Sequence, residues 1–220
     1  MKRICIRLLK KADILTSVGI RLVKLTGKSQ EAIHPKYLVT NQRFWYLKFL
    51  KKGDKVLDVG CGVGQQSLNC ARIVKSVVGF DNNKKNIEIA SKIAKERNFS
   101  NVKFSVCSAE NKFPFLDNEF DKVMVFDVLE HLNNRSQALK EARRVLKNKG
   151  LLLLVIDNPD TSWKKLQRSQ GLFYYADRDH KYEYPKDEII KILKKHKFNI
   201  LSIKPVTYDT PIKPFIDLIG

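Results

Sequence analysis

The chain has 220 residues, 43% of them hydrophobic and 10% aromatic, which suits a domain with a substantial core and excludes a disordered or fibrous protein. Forty-two Lys and Arg against 23 Asp and Glu leave a formal charge of +19, a field that draws nucleic acid, anionic lipid or an acidic substrate. No apolar run approaches the roughly 20 residues of a membrane-crossing helix, and the strongest, residues 151–156, is only of strand length.

Residues 1–39 form a basic segment. Its first 28 residues hold eight Lys or Arg and one acid, Asp13, with Ile4, Leu8, Leu15, Val18, Leu22 and Leu25 at roughly helical spacing. Lys10, Lys11 and Asp13 interrupt the uninterrupted apolar block that a secretory signal would carry. The expectation is an amphipathic helix, acting as a lid on the domain or lying on an anionic membrane surface. The four cysteines, Cys5, Cys61, Cys70 and Cys107, form no CxxC pair and match no zinc spacing. They read as reduced thiols of a cytoplasmic protein, and no metal ligand set is assigned.

Residues 40–220 are expected to form one α/β domain. Residues 40–51 predict a helix with an aromatic face, Phe44, Trp45 and Phe49 among it. Strand 56–59, helix 65–74, strand 76–80, helix 84–97, strand 102–106 and strand 121–126 follow. Asn134 can cap a helix that buries Ala138, Leu139, Ala142, Val145 and Leu146, with Gly150 ending it. Residues 151–156 are apolar throughout, as in a strand covered on both faces. Strands alternating with helices imply a doubly wound, mostly parallel sheet with helices on both faces. Residues 158–183 break that rhythm; they are polar and aromatic, and too long for an ordinary connection. They read as an insertion over a substrate pocket. Pro185 then starts a helix with Asp187 and Glu188 in its first turn, and a last strand is expected at about 198–206.

The stretch VLDVGCGVG at residues 56–64 carries the chemistry. Three glycines at a strand-to-helix turn let a ligand approach bare backbone. A dinucleotide loop would read GxGxxG, and a phosphate-cradling loop would end in Lys and Ser or Thr. Here the spacing is GxGxG, Gln65 and Gln66 follow, and Asp58 stands two residues ahead of Gly60. An acid there would repel a pyrophosphate but tolerate an ammonium. That favours S-adenosylmethionine, which is adenosine joined to methionine and carries no phosphate. The second strand ends in Asp81, 21 residues after Gly60, where a carboxylate can take both ribose hydroxyls.

At this point the sequence resembles the class I S-adenosylmethionine-dependent methyltransferases, a Rossmann-like family, over about residues 40–205. The resemblance implies that Asp58, Gly60, Cys61, Gly62 and Gly64 hold the methionine part, and that Asp81, with Asn82, holds the ribose. Ser108-Ala109-Glu110 stands where the family has Asp-Ala-Glu against the adenine, and Ser108 departs from that pattern. Phe126 and Asp127 open the segment that faces the reaction centre in the family. Within it, the chain is most similar to the ubiquinone-biosynthesis O-methyltransferases, through Glu130-His131, Arg43 and His180. That likeness implies that Arg43 meets the methionine carboxylate.

An oxygen acceptor must lose a proton, so a base nearby helps. His131 and His180 are the candidates. The expected function is methyl transfer, by O-methylation, to a small or lipid-like acceptor. RNA methylation is the alternative that the charge favours, without an Asn-Pro-Pro-Tyr type segment to support it. A cofactor-binding protein without transfer is the third.

Overall fold

The computed structural model describes residues 44–205, the Trp163 side chain excepted. The expected N-terminal helix, Arg43 and the tail from residue 206 fall outside the described residues. Residues 46–158 and 177–201 pack as one compact unit, and residues 159–176 belong to a second.

The first unit holds a five-stranded sheet. Its strands are β1 (Lys55–Val59), β2 (Ser76–Asp81), β3 (Val102–Val106), β4 (Phe120–Phe126) and β5 (Leu146–Val155). All pair in parallel, in the order β3-β2-β1-β4-β5. Its helices are α1 (Gln65–Ala71), α2 (Lys84–Glu96), α3 (Arg135–Val145) and, after the second unit's α4 (Ser162–Ser169), α5 (Lys186–Lys195). The Rossmann-like reading of the sequence therefore holds. Strand order reverses at β1, which lies between β2 and β4. In open parallel sheets the crevice at such a reversal, beyond the carboxyl ends of the strands, is where ligands sit.

Local sequence explains the elements. Val56, Leu57 and Val59 of β1 are at most 1% exposed, as a strand between two helical layers requires. Asn83 caps α2 by accepting from Lys85 N–H, and Asn134 caps α3 by accepting from Gln137 N–H, each satisfying a first-turn donor. Below the sheet's edge, Phe80 meets Phe113 edge-on at 4.9 Å and Phe115 meets Phe120 at 5.2 Å. Burying each such ring contributes roughly 1.5–3 kcal/mol. Arg144 of α3 ties the loop between β3 and β4 to that helix. It donates to Glu141 (2.6 Å), to Asp117 (2.7 Å) and to the carbonyls of Phe113 and Phe115.

Three expectations need correction. Over the described part of 40–51 there is only a 3-10 turn, Leu47–Phe49, rather than a helix. Tyr46 and Leu50 on either side are buried, so the aromatic face packs without a helix. Gly150 does not end α3, because the chain leaves the helix at Leu146 in an extended conformation. Gly150 lies inside β5, where a Cβ would stand 2.8 Å from the Leu146 side chain. Residues 198–205 form no strand, and Leu201 is 81% exposed. Alternating apolar residues make a strand only beside a partner edge, and none of the described strands pairs with that segment.

Candidate cofactor and transfer site

All five strands point the same way, so the segments following them gather at one edge. The glycine loop follows β1, Asp81 ends β2, Cys107–Glu110 follow β3, Asp127–His131 follow β4 and Asp157 follows β5.

The glycine loop is built for close approach on one side and tight packing on the other. Gly60 has φ +67°, and a Cβ there would come within 2.5 Å of Val128, in the segment after β4. Gly62 has φ +53° with no atom within 4 Å of where its Cβ would stand, so its bare face meets open space. Gly64 starts α1. Cys61 donates its backbone N–H to Phe80 C=O at 2.9 Å, and burial, helped by the charges of Asp58 and Asp81, pushes its thiol far up. Cys61 therefore contributes backbone, not a nucleophile.

Asp81 braces this loop from β2. Its Oδ2 accepts Gly62 N–H at 3.0 Å, and its Oδ1 accepts Asn83 N–H at 2.8 Å and Asn86 Nδ2 at 3.3 Å. A carboxylate offers about four acceptor sites, so Oδ2 keeps one for a further donor. Asn82 beside it is exposed.

Asp58 is only 3% exposed and accepts from Ser67 Oγ of α1 at 2.5 Å. Burial, against the Ser67 hydrogen bond and with the Asp81 charge adding to it, pushes its pKa up from 3.8 to about 7. Asp58 thus ties β1 to the first turn of α1. A raised carboxyl pKa favours the folded state fully below 3.8, and that contribution is lost as pH rises through 7. Asp58→Asn, which keeps an acceptor for Ser67, is expected to stabilise the protein at pH 8 by about 1 kcal/mol, and by less at pH 4.5. Thermal melts at the two pH values check this.

On the β3 side, Ser108 Oγ accepts Glu110 N–H at 3.2 Å, and Ala109 is buried. Glu110 Oε1 accepts the N–H groups of Asn133 and Asn134, the latter at 2.8 Å. Those two bonds, Asn134 first, hold its pKa below the usual range. Its carboxylate therefore anchors the entry to α3.

After β4, Phe126 packs edge-on against Tyr46 at 5.3 Å. Asp127 adopts φ +53°, a left-handed conformation that Asp tolerates better than most residues and that often marks a functional turn. Its N–H donates to Val155 C=O at 3.1 Å. Glu130 is fully buried; its Oε1 accepts Asp157 N–H at 2.7 Å, while its Oε2 has no hydrogen-bond partner among the described residues. Burial is the main reason its pKa rises to about 7, with the charges of Asp127 and Asp157 adding to it.

Residues 177–184 return to this cluster. Lys181 N–H and Tyr182 N–H both donate to Glu130 C=O, at 2.8 and 3.3 Å. The staple brings His180 against His131, ring edge to face, with centroids 4.7 Å apart. His180 Nδ1 lies 2.9 Å from Glu183 Oε1 and 3.9 Å from Asp157 Oδ2. Burial pulls the His180 pKa down, but the Glu183 hydrogen bond and the charges of Asp157 and Glu183 outweigh it and leave the pKa above its usual value. The two histidines singled out in the sequence are thus brought together, across 49 residues. Asp157 and Glu183 were missed. Asp157 had the signal of following a parallel strand; Glu183 had only its place three residues after His180. Donor atoms of Asp157, His180 and Glu183, and of Asp127, Glu130 and Asp157, lie within 4.8 Å of one another, a spacing shared by cation sites and hydrogen-bonded carboxylate clusters.

A family described as a methyltransferase domain matches residues 50–197. The chain belongs to that family. Among curated relatives, an uncharacterized methyltransferase, YcgJ of Bacillus subtilis, is 37% identical over 101 residues, covering 46% of this chain and 40% of the relative. A ubiquinone biosynthesis O-methyltransferase of Pelagibacter ubique is 36% identical over 107 residues, 49% of this chain and 43% of the relative. The chain thus matches less than half the length of these two relatives. The crystal structure of YcgJ superposes with TM-score 0.60 at 27% identity, over 69% of this chain and 65% of that one. The structure of the [4+2]-cyclase SpnF superposes with TM-score 0.61 at 25% identity, over 83% and 72%.

The cofactor of this methyltransferase family is S-adenosyl-L-methionine. The residues present fit it: the open face of Gly62 admits a ligand against backbone, and Asp81 Oδ2 keeps an acceptor site for a ribose hydroxyl.

Proposed function

We propose that this chain is an S-adenosylmethionine-dependent methyltransferase acting on an oxygen of a small or lipid-like acceptor. The observation that carries the reading is the contact of His131 with the buried His180 beside the carboxyl end of β4, next to the glycine loop that packs on Val128. The O-methyltransferase relative of Pelagibacter ubique supports oxygen as the acceptor atom.

Gly60–Gly64 and Asp81 would hold the cofactor, with Asn82 beside the ribose, Ser108, Ala109 and Glu110 on the adenine side, and Phe126 and Asp127 toward the methionine. Arg43, outside the described residues, is proposed from sequence alone to meet the methionine carboxylate. When bound, the cofactor would supply an electrophilic methyl group carried on a sulfonium sulfur. The protein's own work is to orient the acceptor, exclude water and take the proton from its hydroxyl. His180 is the proposed base, through Nε2, with His131 against its ring.

A second reading has its own observation. The SpnF superposition shows that this fold also serves a protein described as a cyclase, so cofactor binding without methyl transfer is the rival. The charge of +19 and the basic residues 1–28 also suit an anionic membrane surface as the place where a lipid-like acceptor is met.

Calorimetry with S-adenosylhomocysteine, followed by transfer of labelled methyl from S-adenosylmethionine to catechol, long-chain alkylphenols and total RNA, tests these readings. Binding with transfer to the phenols is expected. Transfer to RNA with a steep salt dependence would replace the acceptor class. Binding without transfer to any of these acceptors would favour the rival, and no binding would refute the whole.

A further inference from the structure

We propose that Glu183 is a positioning residue for His180. Its carboxylate accepts the Nδ1 proton, holds the ring in the Nδ1–H tautomer, and leaves Nε2 as the atom that receives the acceptor's proton. The inference rests on the reading above, in which His180 is the base for transfer to oxygen.

Three observations carry it. The first is distance. Among the described residues only Glu183, at 2.9 Å, is within hydrogen-bond reach of Nδ1; Asp157 at 3.9 Å is beyond that reach and acts on the ring through its charge. The second is burial. The side chains of His180 and Glu183 are 4% and 0% exposed, where a carboxylate is costly unless hydrogen-bonded. The third is commitment of the ring atoms. Nδ1 is engaged, while among the described residues Nε2 makes no hydrogen bond. In a neutral imidazole one nitrogen donates and the other accepts, so a carboxylate on Nδ1 decides which nitrogen is the base.

The local chain holds this arrangement. The two N–H groups of Lys181 and Tyr182 clasp Glu130 C=O, and His180 N–H donates to Asp177 C=O at 3.3 Å. His180 and Glu183 flank that clasp, so the pair is held to the end of β4 from both sides. Tyr182 and Tyr184 stack edge-on at 4.9 Å, and Tyr182 Oη donates to Glu188 Oε2 of α5 at 2.6 Å. The charged groups that act on the ring are Glu183 on its own segment, Asp157 after β5 and Glu130 after β4; His131 is its aromatic neighbour. During transfer the acceptor O–H bond breaks, its proton passes to Nε2, and the resulting imidazolium is held by the Glu183 carboxylate until the proton leaves to solvent.

The test uses the full chain labelled with ¹⁵N in its histidines, with His180→Ala to assign the signal. The parent is expected to show His180 with Nδ1 protonated and Nε2 bare, and Glu183→Gln to lose that single-tautomer signature. With catechol as acceptor, Glu183→Gln should lower kcat about 10- to 100-fold, leaving the KM for catechol and the affinity for S-adenosylhomocysteine within about twofold, and Glu183→Asp should recover part of the loss. An Nε2–H tautomer in the parent overturns the proposal whether or not catechol is turned over. So does zinc displacing the Nδ1 proton, which would make the Asp157, His180 and Glu183 cluster a cation site. Unchanged kcat in Glu183→Gln, with kcat lost in His180→Ala, overturns the positioning role. Full turnover in His180→Ala instead sinks the base reading, and with it the catalytic part of this proposal, while the ring spectrum still decides the pairing.

Discussion

Replacing Asp81 with alanine is expected to weaken S-adenosylhomocysteine binding about 100-fold or more, with a small change in melting temperature. Two losses combine. The ribose hydroxyls lose a charged acceptor, and hydrogen bonds to a charged group contribute about 1.5–3 kcal/mol each. Gly62 N–H also loses its partner at 3.0 Å, so the loop that must meet the cofactor is no longer braced from β2. Stability should change little, because Asp81 sits at the sheet's edge and its other bonds, to Asn83 and Asn86, lie at the start of α2. Asp81→Asn should fall between, since it keeps one acceptor oxygen but loses the charge. Calorimetry on the three proteins checks this. An affinity for Asp81→Ala within about threefold of the parent would remove Asp81 from the cofactor site.

Arg144→Met is expected to cost about 3–5 kcal/mol of stability, the range for leaving a buried charge without its partner. Glu141 is 3% exposed, and the Arg144 hydrogen bond is the first reason its pKa stands below the usual carboxylate range, opposed by burial. The substitution also strips the donor from the carbonyls of Phe113 and Phe115, whose rings close the core against Phe80 and Phe120. Sign follows from the pKa. A depressed carboxyl pKa stabilises above the unfolded value, near 4.5, and that contribution disappears as pH falls through the lower folded value. The difference between parent and variant should therefore be largest at neutral pH and narrow in strong acid. Urea unfolding at pH 7 and pH 3 measures it, and equal midpoints at pH 7 would show that the clamp contributes nothing. Cofactor affinity should survive in the folded variant, because Arg144 lies among the contacts of the core and not in the glycine loop.

The strands were legible because each is an apolar or alternating run between turn signals. Residues 55–59, 76–81 and 102–106 match the expected segments to within a residue, and the caps Asn134 and Pro185 fall where predicted. The glycine loop was legible for a similar reason: its conformation is local, and glycine adopts the positive φ at Gly60 and Gly62 at the least cost. Errors came where local pattern and tertiary context disagree. Gly150 resembled a helix stop, yet the strand begins at Leu146 because β4 offers Phe120 a partner there. Apolar alternation after residue 198 resembled a strand, but pairing is a property of two segments and leaves no mark in one.

What the sequence determined by itself was the α/β fold and a cofactor loop, since periodicity, capping and backbone freedom are carried by residues close together in the chain. It also named both histidines. Only the tertiary structure decided that they meet. His131 and His180 meet because β4 points the segment after it toward the crevice, and because Lys181 and Tyr182 clasp the Glu130 carbonyl. Asp58 shows the same dependence on packing. The pattern placed an acid beside the ligand loop, and burial turned its carboxylate inward onto Ser67. The direction of a side chain depends on which layer covers its strand, and that is settled only when the sheet and its helices pack together.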